Sequence, residues 1–231
     1  MSLKLVLFDL DGTLLDTAPD MGAALNVLRA EHKLPPLLQD RIRPHVSQGA
    51  PALLKLGFGI ELQDARFAEM RARYLAIYQE RLAVETRPFH GIEPVLEKLG
   101  QMGLPWGVVT NKPGWLTDPL LEALGLKVRA ACVVSGDTIA RRKPHPDPLL
   151  HAAMLCGVDA AASVYVGDAR RDVEAAHAAG MLAVVAMYGY LGEEERPDNW
   201  KADHMIMHPS DLLPWIATAP APRPFLAEAG A

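Results

Sequence analysis

Two aspartates stand two positions apart in Phe8-Asp9-Leu10-Asp11-Gly12-Thr13-Leu14-Leu15-Asp16, directly after a short apolar run. On a strand, side chains two apart share a face, so Asp9 and Asp11 are expected to point the same way about 7 Å apart, with Gly12 letting the chain turn behind them. Carboxylates so crowded repel unless a cation or a shared proton intervenes, which asks for a metal ion or a raised pKa on one partner. Three other clusters invite related chemistry. Val108-Val109-Thr110-Asn111-Lys112 sets a hydroxyl and free backbone amides at a strand end before a helix from about Gly114, a cradle suited to phosphate. In Arg141-Arg142-Lys143-Pro144-His145-Pro146-Asp147-Pro148, the proline behind Lys143 keeps that residue extended and carries its ammonium on a stiff loop. In Tyr165-Val166-Gly167-Asp168-Ala169-Arg170-Arg171-Asp172, two acids sit where a strand hands over to a helix, and their i, i+4 spacing keeps them neighbours.

The elements that must position these groups are short apolar runs, several of them rich in valine, at residues 3–8, 106–109, 131–134, 164–166, 182–186 and, more weakly, 204–207. Their apolarity is continuous rather than alternating, so both faces are covered, and helical stretches between them imply right-handed crossovers. The predicted fold class is α/β, with a Rossmann-like parallel sheet, and the clusters then fall at the carboxyl ends of strands, where such folds place ligands. Residues 17–87 contain no strand-like run and show apolar residues at three and four spacing, as in Phe67, Met70, Tyr74, Ile77 and Tyr78, so they read as an inserted helical domain. The expected organisation is a core of residues 1–16 and 88–216, a helical insert at 17–87, and a loose Ala- and Pro-rich tail from 217 to 231. The insert holds ten Lys+Arg and eight Asp+Glu, net +2, against 13 and 20, net −7, for the remainder.

With 231 residues, 50% of them hydrophobic and 22% charged, the chain lies in the ordinary globular range and is long enough for a sizeable core. A net charge of −5 and the absence of any basic run of five or more exclude nucleic acid as an expected partner. Cys132 and Cys156 form no CxxC, so neither a disulfide framework nor a zinc site is expected, and a reducing compartment fits. The apolar N-terminal stretch meets Asp9 too soon for a signal peptide, and the uncharged run 175–192 is broken by Gly180, Gly189 and Gly192. The expectation is a cytoplasmic protein without a membrane partner. No feature points to a particular oligomeric state.

Asp9 to Asp16 fits D-x-D-G-T-[LV]-x-D, a pattern that chance would produce about 10⁻⁵ times over a chain of this length. It resembles the nucleophile motif of the haloacid dehalogenase superfamily. Thr110 stands where that superfamily carries its second motif, Lys143-Pro144-His145-Pro146 is similar to the third, K-P-x-P, and Gly167 to Asp172 to the fourth, G-D-x-x-x-D. The resemblance covers residues 3 to about 215. It implies a magnesium-dependent phosphatase in which Asp9 is the nucleophile, Asp11 the acid and base, and Thr110, Asn111 and Lys143 hold the phosphate. Mg2+ would be held by Asp9, the backbone carbonyl of Asp11, and Asp168, with Asp172 behind them. Asp11 matters here, because dehalogenases of the superfamily lack that second acid and use no metal.

The insert then resembles a type 1 cap, and the loop at 43–50, with Arg43, Ser47 and Gln48, resembles its substrate-specificity segment. Arg141 and Arg142 are either solvated or bind a substrate carboxylate, and His145 braces its own loop. Motif set, cap type and length resemble the phosphoglycolate phosphatase branch, and the wording also resembles N-acetylmuramic acid 6-phosphate phosphatases. The expected partner is a small phosphate ester bearing a carboxylate, the amino sugar phosphate first. A mutase like β-phosphoglucomutase shares every motif. A non-catalytic phosphoryl-binding regulator is the alternative of another class, disfavoured because the first aspartate follows strand one and a cap is superfluous to signalling.

Overall fold

The apolar runs pair as strands because each offers branched side chains to both faces of a buried sheet. In the computed structural model, which describes residues 3–192 and 195–219, the strands β1 (Leu5–Phe8), β4 (Trp106–Val109), β5 (Val133–Val134), β6 (Ser163–Gly167), β7 (Leu182–Ala186) and β8 (His204–Ile206) form one sheet. Its order is β5-β4-β1-β6-β7-β8, and every pairing is parallel. The Rossmann-like α/β expectation is met. Alternate residues of β1 feed opposite cores: Val6 and Phe8 join Val108, Val166 and Val184 on one side, Leu5 and Leu7 join Val109, Tyr165 and Val185 on the other. Helices α5 (Ile92–Gln101), α6 (Gly114–Ala123) and α9 (Leu212–Thr218) cover the first face, and α7 (Asp147–Leu155) and α8 (Arg170–Ala178) the second.

Register places the chemistry. Phe8 is paired with both Val108 of β4 and Val166 of β6, so the chain leaves all three strands at one level. Asp9 therefore emerges between Thr110 and Asp168, each two residues beyond its paired valine. The chain runs outward from β1 through β4 to β5, then crosses back to β6 and runs outward through β7 to β8, so the neighbours β1 and β6 hand on in opposite directions, which opens a crevice at their carboxyl ends.

Four helices, α1 (Ala18–Glu31), α2 (Gln39–Ile42), α3 (Gly49–Phe58) and α4 (Phe67–Gln79), lie between β1 and β4 and enclose their own core, including Leu25, Leu28, Leu53, Leu54, Tyr74 and Tyr78. Where this insert leaves and rejoins the sheet domain, β2 (Leu15–Asp16) and β3 (Arg87–Pro88) pair antiparallel, Asp16 opposite Arg87. The pair marks the two ends expected for the insert, and of residues 17–87 only Arg87 belongs to a strand. Two residues per strand are too few to leave a periodic signal. At the other end, α9 runs to Thr218, so residues 217 and 218, expected to be loose, are helical, and Trp215 stacks on His204. The rest of that tail beyond 219 lies outside the described residues. Among the described residues, no helix is long and apolar enough to cross a membrane.

Candidate active site

Asp9 is the first residue beyond β1 and is buried; its backbone N–H still donates to Val166 O, which fixes it to the sheet. Its Oδ1 accepts from Leu10 N at 2.7 Å and lies 2.9 Å from Lys143 Nζ. The chain then turns rather than continuing as strand. Gly12 adopts φ +87°, and a Cβ there would stand 2.0 Å from Asp168 Oδ2, so only glycine allows the turn to pass so close to that acid. Because β1 ends at Phe8, the strand alternation expected to align Asp9 and Asp11 does not reach Asp11. Its carboxylate is held separately, accepting from Thr17 Oγ1 at 2.7 Å and lying 2.9 and 3.2 Å from Lys112 Nζ. Lys112 also donates to Tyr78 OH at 2.9 Å, which reaches across from α4.

The carboxylates of Asp9, Asp168 and Asp172 converge, with one oxygen of each within 4.8 Å of the others, and all three are buried. Asp168 Oδ2 accepts from Tyr190 N at 2.9 Å and from the hydroxyl of Ser47. Its Oδ1 is buried without a hydrogen-bond partner. Burial pushes the Asp168 carboxyl up to about 7, reinforced by the charges of Asp9 and Asp172. Burial likewise raises Asp172, against the pull of Lys143 at 2.9 Å. A hard divalent cation fits this donor set, since it takes oxygen ligands, would occupy the orphaned Oδ1, and would relieve the crowding of three negative groups. The carboxylate of Asp11 is not among the three; its expected part in metal binding was through the backbone carbonyl. Asp172, expected behind the ligands, has its carboxylate within the cluster itself.

Two of the residues expected at the phosphate, Asn111 and Lys143, are held by partners of their own, and Asn111 also lines the cavity. The side-chain amide of Asn111 is taken up on both sides by the backbone of Lys143, donating to its carbonyl at 2.9 Å and accepting from its N–H at 3.1 Å, so it pins the Lys143 loop. Lys143 is wholly enclosed, donating to Tyr165 OH at 2.6 Å and Val109 O at 3.1 Å besides facing Asp9 and Asp172, and it does not reach the cavity wall. The cation that does reach the wall beside Asp9 is Arg171. Its Nη2 is 3.9 Å from Asp9 Oδ2 and donates to Ser47 O at 2.7 Å, while its buried Nε has no partner. Thr110 lines the wall as expected, its Oγ1 accepting from Lys112 N.

Above these groups, a cavity of about 860 Å³ lies between the insert and the carboxyl ends of the strands. Asp9, Asp11 and Thr110 line it from the sheet, Phe67 and Leu75 from α4, and Trp115 from α6. From the 43–50 loop, Gln48 lines it, Ser47 turns to Asp168, and Arg43 is instead paired with Asp16 and stacked over Tyr190 at 4.8 Å. Arg141 pairs with Asp147 through contacts of 2.6 and 3.0 Å, whereas Arg142 faces the cavity. Lys112, Arg171, Tyr78 and Tyr165 were not singled out from sequence. Lys112 follows Thr110 by two and Arg171 precedes Asp172 by one, so adjacency to a motif was the available signal; the two tyrosines read as core.

A buried carboxylate just beyond β1, a second carboxylate held apart on a lysine, and an acidic trio that could hold a cation stand together at the carboxyl ends of a parallel sheet. A family model of haloacid dehalogenase-like hydrolases matches residues 6–186, and the chain belongs to that family. It is 42% identical over 213 residues to the N-acetylmuramic acid 6-phosphate phosphatase of Pseudomonas aeruginosa, covering 92% of this chain and 94% of that one. It is 44% identical over 209 residues to the phosphoglycolate phosphatase of Xanthomonas campestris pv. campestris, covering 90% and 94%. The crystal structure of a predicted phosphoglycolate phosphatase from Haemophilus somnus superposes with a TM-score of 0.81 at 28% identity over 93% of this chain and 98% of that one. The chain is thus a phosphoric monoester hydrolase of the haloacid dehalogenase type.

Proposed function

We propose that the protein is a magnesium-dependent cytoplasmic phosphatase of a carboxylate-bearing sugar phosphate, N-acetylmuramic acid 6-phosphate first, acting through an aspartyl-phosphate. The observation that carries the substrate reading is the cavity. At about 860 Å³ it is of the size that encloses drug-sized ligands, and a two-carbon acid such as phosphoglycolate would leave most of it to water. The two relatives are named for substrates that are both acids, which supports the carboxylate. Asp9, Asp168 and Asp172 would hold Mg2+, which when bound supplies positive charge to the phosphoryl oxygens.

This chain's residues divide the chemistry. In the first step, the Asp9 carboxylate forms a bond to phosphorus as the ester P–O bond breaks, and Asp11 gives its proton to the leaving alcohol oxygen. In the second, Asp11 as carboxylate takes a proton from water, whose oxygen bonds to phosphorus while the Asp9 O–P bond breaks and inorganic phosphate leaves. Arg171 and Thr110, on the wall beside Asp9, orient the phosphoryl oxygens. Lys143 balances Asp9 and Asp172 from behind. The helices at 17–87 act as a cap, tied down by Ser47 to Asp168 and Arg43 to Asp16, and shield the site from bulk solvent while leaving the attacking water beside Asp11.

Phosphate release from N-acetylmuramic acid 6-phosphate, phosphoglycolate and glucose 6-phosphate, with Mg2+ and with chelator, tests this reading. The amino sugar acid should be preferred and its turnover lost with chelator. A preference for phosphoglycolate would replace the substrate assignment, and turnover without release of inorganic phosphate would point to a mutase.

A further inference from the structure

We propose that Arg71 and Arg142 form the subsite that receives the substrate's carboxylate, one guanidinium from the helical insert and one from the sheet domain. The assignment rests on the phosphatase reading above and deepens it by naming the groups that select an acidic substrate. Both arginines line the cavity, and among the described residues neither has a hydrogen bond or an ion pair through its side chain. Every other cation at or near the site is committed. Lys112 is held by Asp11 and Tyr78, Lys143 by Asp9 and Asp172, Arg171 by Ser47 O, Arg43 by Asp16, and Arg141 by Asp147.

The placement of Arg71 has no packing explanation. Phe67, Arg71, Leu75 and Tyr78 recur at i, i+4, i+8 and i+11 on α4, and all four line the cavity, so a single charge interrupts an otherwise apolar or aromatic stripe. Arg142 approaches from the loop between β5 and α7, next to Lys143, and is exposed. The acid on the wall outside the reacting pair, Asp137, accepts from Gly114 N at 2.8 Å. A planar guanidinium matches a carboxylate with two parallel N–H donors, and each such charge-assisted contact is strong where the site is drained of water. Trp115, 45% exposed and also lining the cavity, offers a flat apolar face to the body of a sugar. Because the two arginines belong to different domains, a carboxylate bound by both would also hold the insert closed over the phosphoryl group.

The test compares N-acetylmuramic acid 6-phosphate with N-acetylglucosamine 6-phosphate, which keeps the amino sugar and its phosphate and lacks the acid. The wild type should favour the acid in kcat/KM, and Arg71→Gln and Arg142→Gln should each lower that ratio about 10- to 100-fold, the worth of a charge-assisted hydrogen bond. Arg142→Lys should restore part of it. A ratio unchanged in both variants, with melting temperatures like the wild type, overturns the subsite. If the wild type hydrolyses neither compound, the amino sugar phosphate assignment fails, and the subsite is then judged by calorimetric affinity of Asp9→Asn protein for the same two compounds. There, equal affinity for both overturns it, and a preference for the acid that Arg71→Gln removes upholds it.

Discussion

Lys112 Nζ stands 2.9 Å from Asp11 Oδ1 and 2.9 Å from the hydroxyl of Tyr78, so one buried ammonium ties the proposed acid–base carboxylate to a helix of the insert. Asp11 lies in a turn, and among the described residues only Thr17 holds its side chain without that ammonium. Lys112→Met should therefore lower kcat about 10- to 100-fold, less than the full worth of a positioned acid–base group because Thr17 still holds Asp11. Tyr78→Phe removes one acceptor from Lys112 and leaves the ion pair, so its loss should be under about 5-fold. Steady-state phosphate release decides this; a Lys112→Met enzyme with the wild-type kcat would show that Thr17 alone orients Asp11.

Asp9→Asn should abolish turnover while the fold survives. The substitution keeps the shape of the side chain and removes one of three crowded buried charges, so the melting temperature should hold or rise. Circular dichroism and phosphate release read the two effects separately. Residual activity above about 1% of wild type would remove Asp9 from the role of nucleophile, given that covalent catalysis leaves no easy bypass.

Six strands and their parallel pairing were legible because each is a continuous apolar run between helical patterns, and Asp9, Asp168 and Asp172 were legible because their spacing from strand ends survives as sequence. What was not legible depends on distance in the chain. Lys112 meets Asp11 across 101 positions, Ser47 meets Asp168 across 121, and Tyr165 reads as one more apolar strand residue until its hydroxyl is found against Lys143. Asn111 and Lys143 are expected at the phosphate from motif position; in the structure the Asn111 amide is held by the Lys143 backbone, and the Lys143 ammonium lies 2.9 Å from Asp9 Oδ1. Motif position fixes the backbone at a strand end, whereas the direction of the side chain is set by partners from other elements.

The buried trio also sets a pH dependence. Asp168 is pushed from the ordinary carboxyl range up to about 7, mainly by burial. A carboxyl raised in the folded state binds its proton more tightly there than in the unfolded chain. Its contribution to stability is therefore full below about pH 4 and is lost as pH rises toward 7, by an amount on the order of a few kcal/mol. A bound cation favours the ionised form and reverses that loss. The rise in melting temperature on adding Mg2+ should accordingly be larger at pH 8 than at pH 6, and should be absent in Asp168→Asn. An equal rise at both pH values, or one that persists in Asp168→Asn, would place the cation elsewhere.

Gly189 is expected to be as intolerant of change as the acids themselves. It lies between Tyr188, whose hydroxyl donates to Thr13 O at 3.1 Å, and Tyr190, whose N–H donates to Asp168 Oδ2 at 2.9 Å. A Cβ on Gly189 would stand 2.4 Å from Asp168 Cβ and 2.5 Å from the carbonyl oxygen of Gly12. Neither can yield alone, because Gly12 is the turn that carries Asp11 and Asp168 is a member of the acidic trio. Gly189→Ala should thus push the loop off the sheet, break the Tyr190 hydrogen bond and misplace Asp168, costing about 1–3 kcal/mol in stability. The concentration of Mg2+ needed for half-maximal activity should rise about 10- to 100-fold, as when a support of a metal ligand is removed. Gly192 is the control, since the nearest atoms to its Cβ are 3.9 and 4.0 Å away, and Gly192→Ala should stay within about 2-fold of wild type. If Gly189→Ala keeps the wild-type requirement for Mg2+, the loop yields freely, and the hydrogen bond from Tyr190 is not what holds Asp168 in place for a cation.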